Sequence, residues 1–163
     1  IGVRLVGSEM CIRDRFTLVL NAEAGEISDF FKDVEVPGNV RLLSRQTDMS
    51  SFYADASLVL NLSRPNEWIE TFGLTLIEAF SFGVPVIAPE VGGPTEVVRD
   101  GMDGYLMDSS GVAAIAGKIQ EVAHDRREWE RLSANAAKRA DDFKLPVFHQ
   151  RVTDLMSAEL SGL

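Results

Sequence analysis

Short, mostly apolar runs alternate along the chain with stretches whose apolar residues recur at helical spacing. The runs predict five β-strands, at residues 16–20, 40–43, 58–62, 84–88 and 105–107. Helical patterns separate these runs, and three more helices are predicted from about residue 111 onward. Asp48 is predicted to N-cap the helix that precedes the third strand. Strands that alternate with helices and are apolar on both faces are typical of a doubly wound parallel sheet. The sequence therefore predicts an α/β fold with a Rossmann-like sheet, which binds ligands outside the carboxyl ends of its strands.

Composition excludes several classes of partner. The 163 residues include 16 Lys+Arg and 25 Asp+Glu, which gives a net charge of −9. A chain this acidic lacks the basic surface that nucleic acids or anionic membranes require. No apolar run approaches the roughly 18 residues of a transmembrane helix. One cysteine cannot form an intramolecular disulfide.

The first fifteen residues stand apart from this pattern. Residues 4–15 show neither alternation nor helical spacing, and they resemble a sequencing adapter that has been translated in frame. The alternative is a genuine N-terminal strand around residues 3–6. We interpret residues 1–15 as a non-native segment and exclude them from the fold prediction. We therefore expect the native sequence to begin near Phe16, inside a gene whose upstream part is missing.

Two acidic residues flank the predicted start of the helix that follows the third strand. Glu70 and Glu78 are separated by seven residues, and Gly73 lies between them. A helix N-terminus presents free N–H groups and the positive end of the helix dipole, so it can bind a phosphate. The carboxylates can accept hydrogen bonds from hydroxyl groups on either side, as in a sugar–diphosphate–ribose ligand. The alternative is that Glu70 only complements the dipole and Glu78 is a solvated helix residue.

The same segment resembles a known enzyme family. It reads E-T-F-G-L-x-x-I-E-A-F from Glu70, then G-V-P-V-I-A from Gly83, then G-G-P-x-E-V-V-x-D-G-x-x-G-Y-L from Gly92. These motifs are similar to those of the retaining glycosyltransferases of family 4, and the similarity covers nearly all of residues 16–160. Members have the GT-B architecture of two Rossmann-like domains. The resemblance implies that residues 16–163 are the C-terminal, nucleotide-sugar-binding domain, truncated at its N-terminus.

The resemblance assigns a role to each matching position. Glu70 is the candidate catalytic residue and would contact the hydroxyls of the donor sugar, while Glu78 would hold the nucleotide ribose. The backbone amides that would face the diphosphate belong to Phe72, Gly73, Leu74 and Thr75. The loop expected to contact the base through main-chain groups comprises Leu43, Ser44 and Arg45. The residues expected to shape the adjacent loop are Gly92, Gly93 and Glu96.

The implied activity is transfer of a sugar from a nucleotide-sugar donor to an acceptor hydroxyl with retention, without a metal or other cofactor. One alternative is a non-catalytic nucleotide-sugar-binding module, although both acids and the glycine are present. Another is a sugar-nucleotide epimerase or phosphorylase on the same scaffold, which would not be expected to combine both acids with the Phe-Gly-Leu element.

The resemblance also places essential parts outside this chain. An Arg/Lys pair and the N-terminal domain that binds a sugar, polysaccharide or lipid-linked acceptor would lie upstream. We therefore expect this chain alone to bind nucleotide weakly and to transfer no sugar. The implied location is the cytoplasm, with peripheral contact at the inner membrane face left open.

Three further residues are read from their surroundings. Trp68 lies in a loop, residues 63–69, that is longer than the form common in the family, so it could line the sugar pocket or anchor the loop by packing. His124 and His149 lie in the C-terminal helices without a cysteine or carboxylate at metal-ligand spacing. They are predicted to be surface or interface residues, and no metal site is predicted.

Overall fold

A computed structural model describes residues 15–161 of the chain, with side chains up to residue 158. The chain divides into two compact units, Ile1–Ser51 and Phe52–Leu163, which are described in turn. The interpretation of residues 1–15 as adapter-derived falls outside the described residues, except for Arg15, and stays a prediction.

The first unit contains a parallel strand pair joined by a helix. Strand β1 (Phe16–Val19) pairs with β2 (Val40–Leu43), with Phe16 opposite Val40. Between them lies α1 (Ala24–Phe31), whose Ile27 is buried. The backbone N–H of Glu23 donates to the Glu26 carboxylate at 2.7 Å, which stabilises the start of this helix. Parallel strands need a crossover connection of this kind.

Helix α2 (Ser50–Asp55) begins in the first unit and continues into the second. The sequence predicted Asp48 as its N-cap, and the Asp48 carboxylate accepts a hydrogen bond from the backbone N–H of Ser50 at 2.8 Å. This bond holds the pKa of Asp48 below its ordinary value. The predicted capping role is therefore confirmed.

The second unit contains a three-stranded parallel sheet and five helices. Its strands are β3 (Val59–Leu60), β4 (Val86–Pro89) and β5 (Gly104–Met107), in the order β3-β4-β5. Its helices are α3 (Leu74–Ser81), α4 (Pro94–Val97), α5 (Val112–His124), α6 (Arg126–Asp141) and α7 (Leu145–Ser161). Parallel strands alternate with helices in both units, which confirms the predicted α/β class. The apolar run at 58–62 forms a shorter strand than predicted, because only Val59 and Leu60 pair with β4.

The core of the second unit is built around β4. All four residues of β4 are buried, as expected of a central strand with a continuous apolar sequence. Helix α3 contributes Leu76 and Phe80, and α6 contributes Leu132, all fully buried. The close packing of α3 against α6 fixes the position of α3, which carries the candidate site.

Polar side chains of α6 bind the loops that lead into the strands. The indole N–H of Trp129 donates to the Ser57 carbonyl at 2.7 Å, just before β3. The hydroxyl of Ser133 donates to the Gly83 carbonyl at 2.7 Å, just before β4. These bonds satisfy loop carbonyls near the core, so α6 contributes hydrogen bonds as well as apolar surface.

A hydrogen bond connects β5 to α6 beside an ion pair within α6. The hydroxyl of Tyr105 donates to Glu128 at 2.6 Å, and the Arg131 guanidinium lies 2.6 Å from the same carboxylate. Hydrogen bonds from Arg131 and then from Tyr105 lower the pKa of Glu128 to about 2. Burial, together with this bond, raises the pKa of Tyr105 to about 12.

The last helix, α7, exposes several large apolar side chains, including Leu145, Phe148 and Leu155. No helix within residues 15–161, α7 included, is long and apolar enough to cross a membrane.

The Glu128 pair makes stability depend on pH. Because the folded-state pKa is about 2 and the ordinary value is 4.5, the carboxylate stabilises the fold above pH 4.5. That contribution is lost as pH falls towards 2. Between those values we expect the free energy of unfolding to fall more steeply in the wild type than in Glu128→Gln, measured by denaturant titration.

The matched control is Glu130→Gln, because Glu130 forms an exposed pair with Arg126 on the same helix. This variant should keep the wild-type slope. Equal slopes for the wild type and Glu128→Gln would contradict the assignment.

Candidate functional site

The candidate site lies where β3 ends and α3 begins. Asn61 directly follows β3, and Gly73 directly precedes α3, as the spacing predicted. Gly73 has φ 84°, a left-handed conformation that favours glycine. A Cβ at this position would lie 2.8 Å from the side chain of Leu76. The left-handed backbone and the nearby Leu76 side chain therefore favour glycine at this entry into the helix.

The Glu70 carboxylate binds the amides at the start of α3. Its Oε1 accepts from the backbone N–H groups of Phe72, at 3.4 Å, and Gly73, at 3.2 Å. Its Oε2 accepts from the Asn61 side-chain amide at 3.3 Å. This is the dipole-complementing geometry that the sequence left open as an alternative. The N–H groups of Phe72 and Gly73 thus already donate to a negatively charged group of the same chain.

The Glu78 carboxylate is exposed but has a protein partner. Its Oε2 accepts from the hydroxyl of Tyr53 at 2.7 Å, so it is not simply a solvated helix residue. Sequence reasoning missed Tyr53, because no pattern connects a residue of α2 with one 25 positions later. Its only signal is that it is one of two neighbouring aromatic residues, with Phe52, in a short helix.

The other predicted phosphate-facing residues belong to the same helix start. Phe72, Leu74 and Thr75 are exposed, with Leu74 the most open of the apolar pair. The first N–H groups of an α-helix have no carbonyl partner within the helix. Phe72, Gly73, Leu74 and Thr75 thus form the entry to α3 and its first turn, and the Glu70 carboxylate accepts from the N–H groups of the first two.

The backbone of the loop after β4 packs against the backbone of Glu70 and Thr71, which we call the Glu70 segment. The N–H of Gly93 donates to the Glu70 carbonyl at 2.9 Å. A Cβ on Gly93 would lie 2.3 Å from the Thr71 carbonyl oxygen, and one on Gly92 would lie 2.5 Å from that of Glu70. Only glycines permit this approach, which agrees with the loop-shaping role expected of them. The Glu96 side chain is exposed, and its carbonyl accepts from Arg139 at 2.7 Å.

Leu43, Ser44 and Arg45 belong to the first unit, at the carboxyl end of β2. The Arg45 guanidinium donates to the Asn21 side chain at 2.7 Å, which links the segments that follow β1 and β2. The Ser44 carbonyl accepts from the side chain of Gln46 at 2.9 Å. Their predicted contact with the base stays a prediction.

Trp68 and the histidines are at the surface. Trp68 is 70% exposed, so the alternative in which it anchors its loop by packing is wrong. His124 and His149 are exposed, as predicted. Within the part of the chain that the structure describes, no group of three or more His, Cys, Asp or Glu could hold a metal ion.

Parallel strands that alternate with helices, and a helix that begins in the segment after the carboxyl end of a strand, define a Rossmann-like α/β protein. A family model described as "Glycosyl transferases group 1" matches residues 20–139, and the chain belongs to that family.

Solved structures agree with this assignment. The crystal structure of HepE from Anabaena in complex with UDP and glucose has a TM-score of 0.73 at 25% identity, over 88% of this chain and 40% of that one. The C-terminal domain of the group 1 glycosyl transferase LpcC from Francisella tularensis shares the fold, with a TM-score of 0.59 and 22% identity. That match covers 73% of this chain and 60% of the other.

Among curated proteins, the sucrose synthase of Denitrovibrio acetiphilus is 39% identical over 88 residues, which are 51% of this chain and 11% of that protein. The chain thus spans about a tenth of the length of the curated relatives it matches.

Adding a methyl group at Gly93 should disturb the site. In Gly93→Ala the Cβ would overlap the Thr71 carbonyl, so the Glu70 segment must move. We expect a loss of about 1–3 kcal/mol in the free energy of unfolding, measured by urea titration.

Gly117→Ala in the exposed interior of α5 is the control, because nothing lies within 4 Å of its added Cβ. There we expect a gain of about 0.5–1 kcal/mol from helix propensity. If Gly93→Ala leaves the free energy of unfolding unchanged, the close contact between Gly93 and the backbone of Thr71 does not contribute to stability.

Proposed function

We propose that this chain is the donor-binding lobe of a retaining glycosyltransferase of family 4. The whole enzyme would move a hexosyl group from a nucleotide-diphosphate sugar to an acceptor hydroxyl. One observation carries the proposal: in a group 1 glycosyl transferase, Glu70 and Glu78 flank helix-terminal amides that already bind a carboxylate. A phosphate would find the same donors there.

Each part of the donor has a proposed partner. The diphosphate takes the amides of Phe72, Gly73, Leu74 and Thr75 in place of the Glu70 carboxylate. Glu70, once released, accepts from hydroxyls of the sugar, and Glu78 accepts from the ribose. The base contacts main-chain groups of the loop that comprises Leu43, Ser44 and Arg45. These assignments follow the family motifs at the matching positions.

The chemistry requires an anionic nucleoside diphosphate to leave a sugar carbon that gains positive charge. Donors aimed at the leaving oxygens stabilise the charge as it develops, and the start of α3 supplies such donors. Retention places the leaving phosphate and the incoming hydroxyl on the same face of the sugar. The proposed reaction uses no metal or other cofactor, as the family resemblance implies.

The proposed donor is a nucleotide-diphosphate sugar and the proposed acceptor is a glycan hydroxyl. HepE was crystallised with UDP and glucose, which makes UDP the first nucleotide to test. The proposed acceptor is a sugar, polysaccharide or lipid-linked glycan held by an N-terminal domain outside this chain, and no nucleic acid takes part. A cytoplasmic location, with or without contact at the inner membrane face, stays a prediction.

Removing the Glu78 carboxylate should weaken nucleotide binding. A charged acceptor contributes about 1.5–3 kcal/mol per hydrogen bond, so we expect Glu78→Ala to raise the Kd at least about tenfold. Titrations with UDP, GDP and ADP sugars, followed by NMR, measure the Kd of this weak binder.

Glu121→Ala is the matched control, since it removes the same charge from an exposed position on α5. It should leave the Kd unchanged. Equal affinity of the wild type and Glu78→Ala would remove Glu78 from the ribose role.

The chain alone should transfer no sugar. The acceptor domain and the cationic pair implied by the resemblance lie outside it, so we expect no labelled product from a radioactive donor. Turnover by the 163-residue chain would overturn its proposed status as a lobe. Nucleotide binding without transfer by a longer chain that includes the upstream domain would instead indicate a non-catalytic binding module.

A further inference from the structure

Tyr53 contacts the candidate site although no site motif includes it. The chain has two tyrosines, and the hydroxyl of each donates to a glutamate. Tyr105 donates to Glu128, between β5 and α6. Tyr53 does so to Glu78, the acid proposed to hold the ribose, at 2.7 Å. Both pairs are phenol–carboxylate hydrogen bonds. The Glu128 carboxylate also pairs with Arg131, whereas the Glu78 carboxylate is the one proposed to bind ligand.

The ring of Tyr53 is held firmly. It is 6% exposed and stacks on Phe82, with 5.7 Å between ring centroids and an angle of 29° between the planes. Phe82 follows Glu78 by four residues, so both lie on one side of α3. The Tyr53 side chain therefore lies along that side, with its ring on Phe82 and its hydroxyl on Glu78.

The direction of the hydrogen bond is fixed. Burial, and then the bond to Glu78, raise the pKa of Tyr53 above its ordinary value. The hydroxyl therefore stays protonated at neutral pH and is the hydrogen-bond donor to Oε2 of the Glu78 carboxylate. Within the described part of the chain, Oε1 of Glu78 receives no hydrogen bond from protein.

We propose that Tyr53 is a positioning residue for Glu78, whose hydroxyl holds Oε2 and leaves Oε1 to accept from a ribose hydroxyl. This inference rests on the proposed function, because it assumes that the ligand carries a ribose. An exposed glutamate normally samples several rotamers, and fixing one of them reduces the entropy lost when a hydroxyl binds. Tyr53 thereby favours ribose over deoxyribose without touching the sugar.

The test compares UDP with its 2′-deoxy and 3′-deoxy analogues on the full chain, with the GDP and ADP series alongside. Tyr53→Phe keeps the ring on Phe82 and removes only the hydroxyl. We expect this change to raise the Kd for UDP about three- to tenfold. The ratio of the deoxy-UDP Kd to the UDP Kd should fall by a similar factor.

Tyr105→Phe is the control, because it removes the equivalent hydroxyl from the Glu128 pair. It should destabilise the fold and leave that ratio unchanged. In a Glu78→Gln background, which already loses discrimination, Tyr53→Phe should have no further effect on the ratio. A merely structural role for Tyr53 would lower affinity in both backgrounds equally.

Two results would overturn the inference, and they are distinguishable. If the wild type discriminates against the deoxy analogues and Tyr53→Phe discriminates equally well, Tyr53 does not position Glu78 and the proposed function stands. If the wild type binds none of the UDP, GDP or ADP series, the proposed function fails and the inference fails with it.

Discussion

Strand β4 is buried along its whole length, and the second unit is built around this burial. A fully apolar parallel strand needs a neighbour on each side and cover on its faces, which β3, β5 and α3 provide. Because Leu76 and Phe80 hold α3 in this core, the other side of the same helix can carry Glu78. The residues that determine the position of the site are thus apolar and lie outside it.

The two acids of the site are held by different chemistry. Glu70 accepts from two backbone amides and from the Asn61 side chain, whereas Glu78 accepts from a phenol. Amides at a helix start have an intrinsic preference for an anion, and a phenol has none beyond its single hydrogen bond. An incoming phosphate would therefore compete with Glu70 but not with Glu78.

The fold could be predicted almost entirely from the sequence, because it follows from apolar periodicity and from local signals such as Gly73 and Asp48. The partners of the acids could not, since Tyr53 and Glu78 are 25 residues apart and meet only through tertiary packing. The exposure of Trp68 could not be predicted either, because it also depends on tertiary packing. The sequence places an indole in a loop but does not show whether the core covers it. Likewise, the run at 58–62 is apolar except for Asn61, but how much of it pairs depends on its neighbour.

The hydrogen bonds from the amides of Phe72 and Gly73 to Glu70 would limit which anions can bind at the start of α3. The Glu70 carboxylate belongs to the same chain as these amides and competes with any anion for them. An inorganic ion would therefore have to displace it. An ion without hydroxyl groups would also leave that carboxylate beside a second negative charge, which is unfavourable. A ligand that joins a phosphate to hydroxyl groups would give the displaced carboxylate new donors. Such an exchange would filter out the abundant simple anions of a cell.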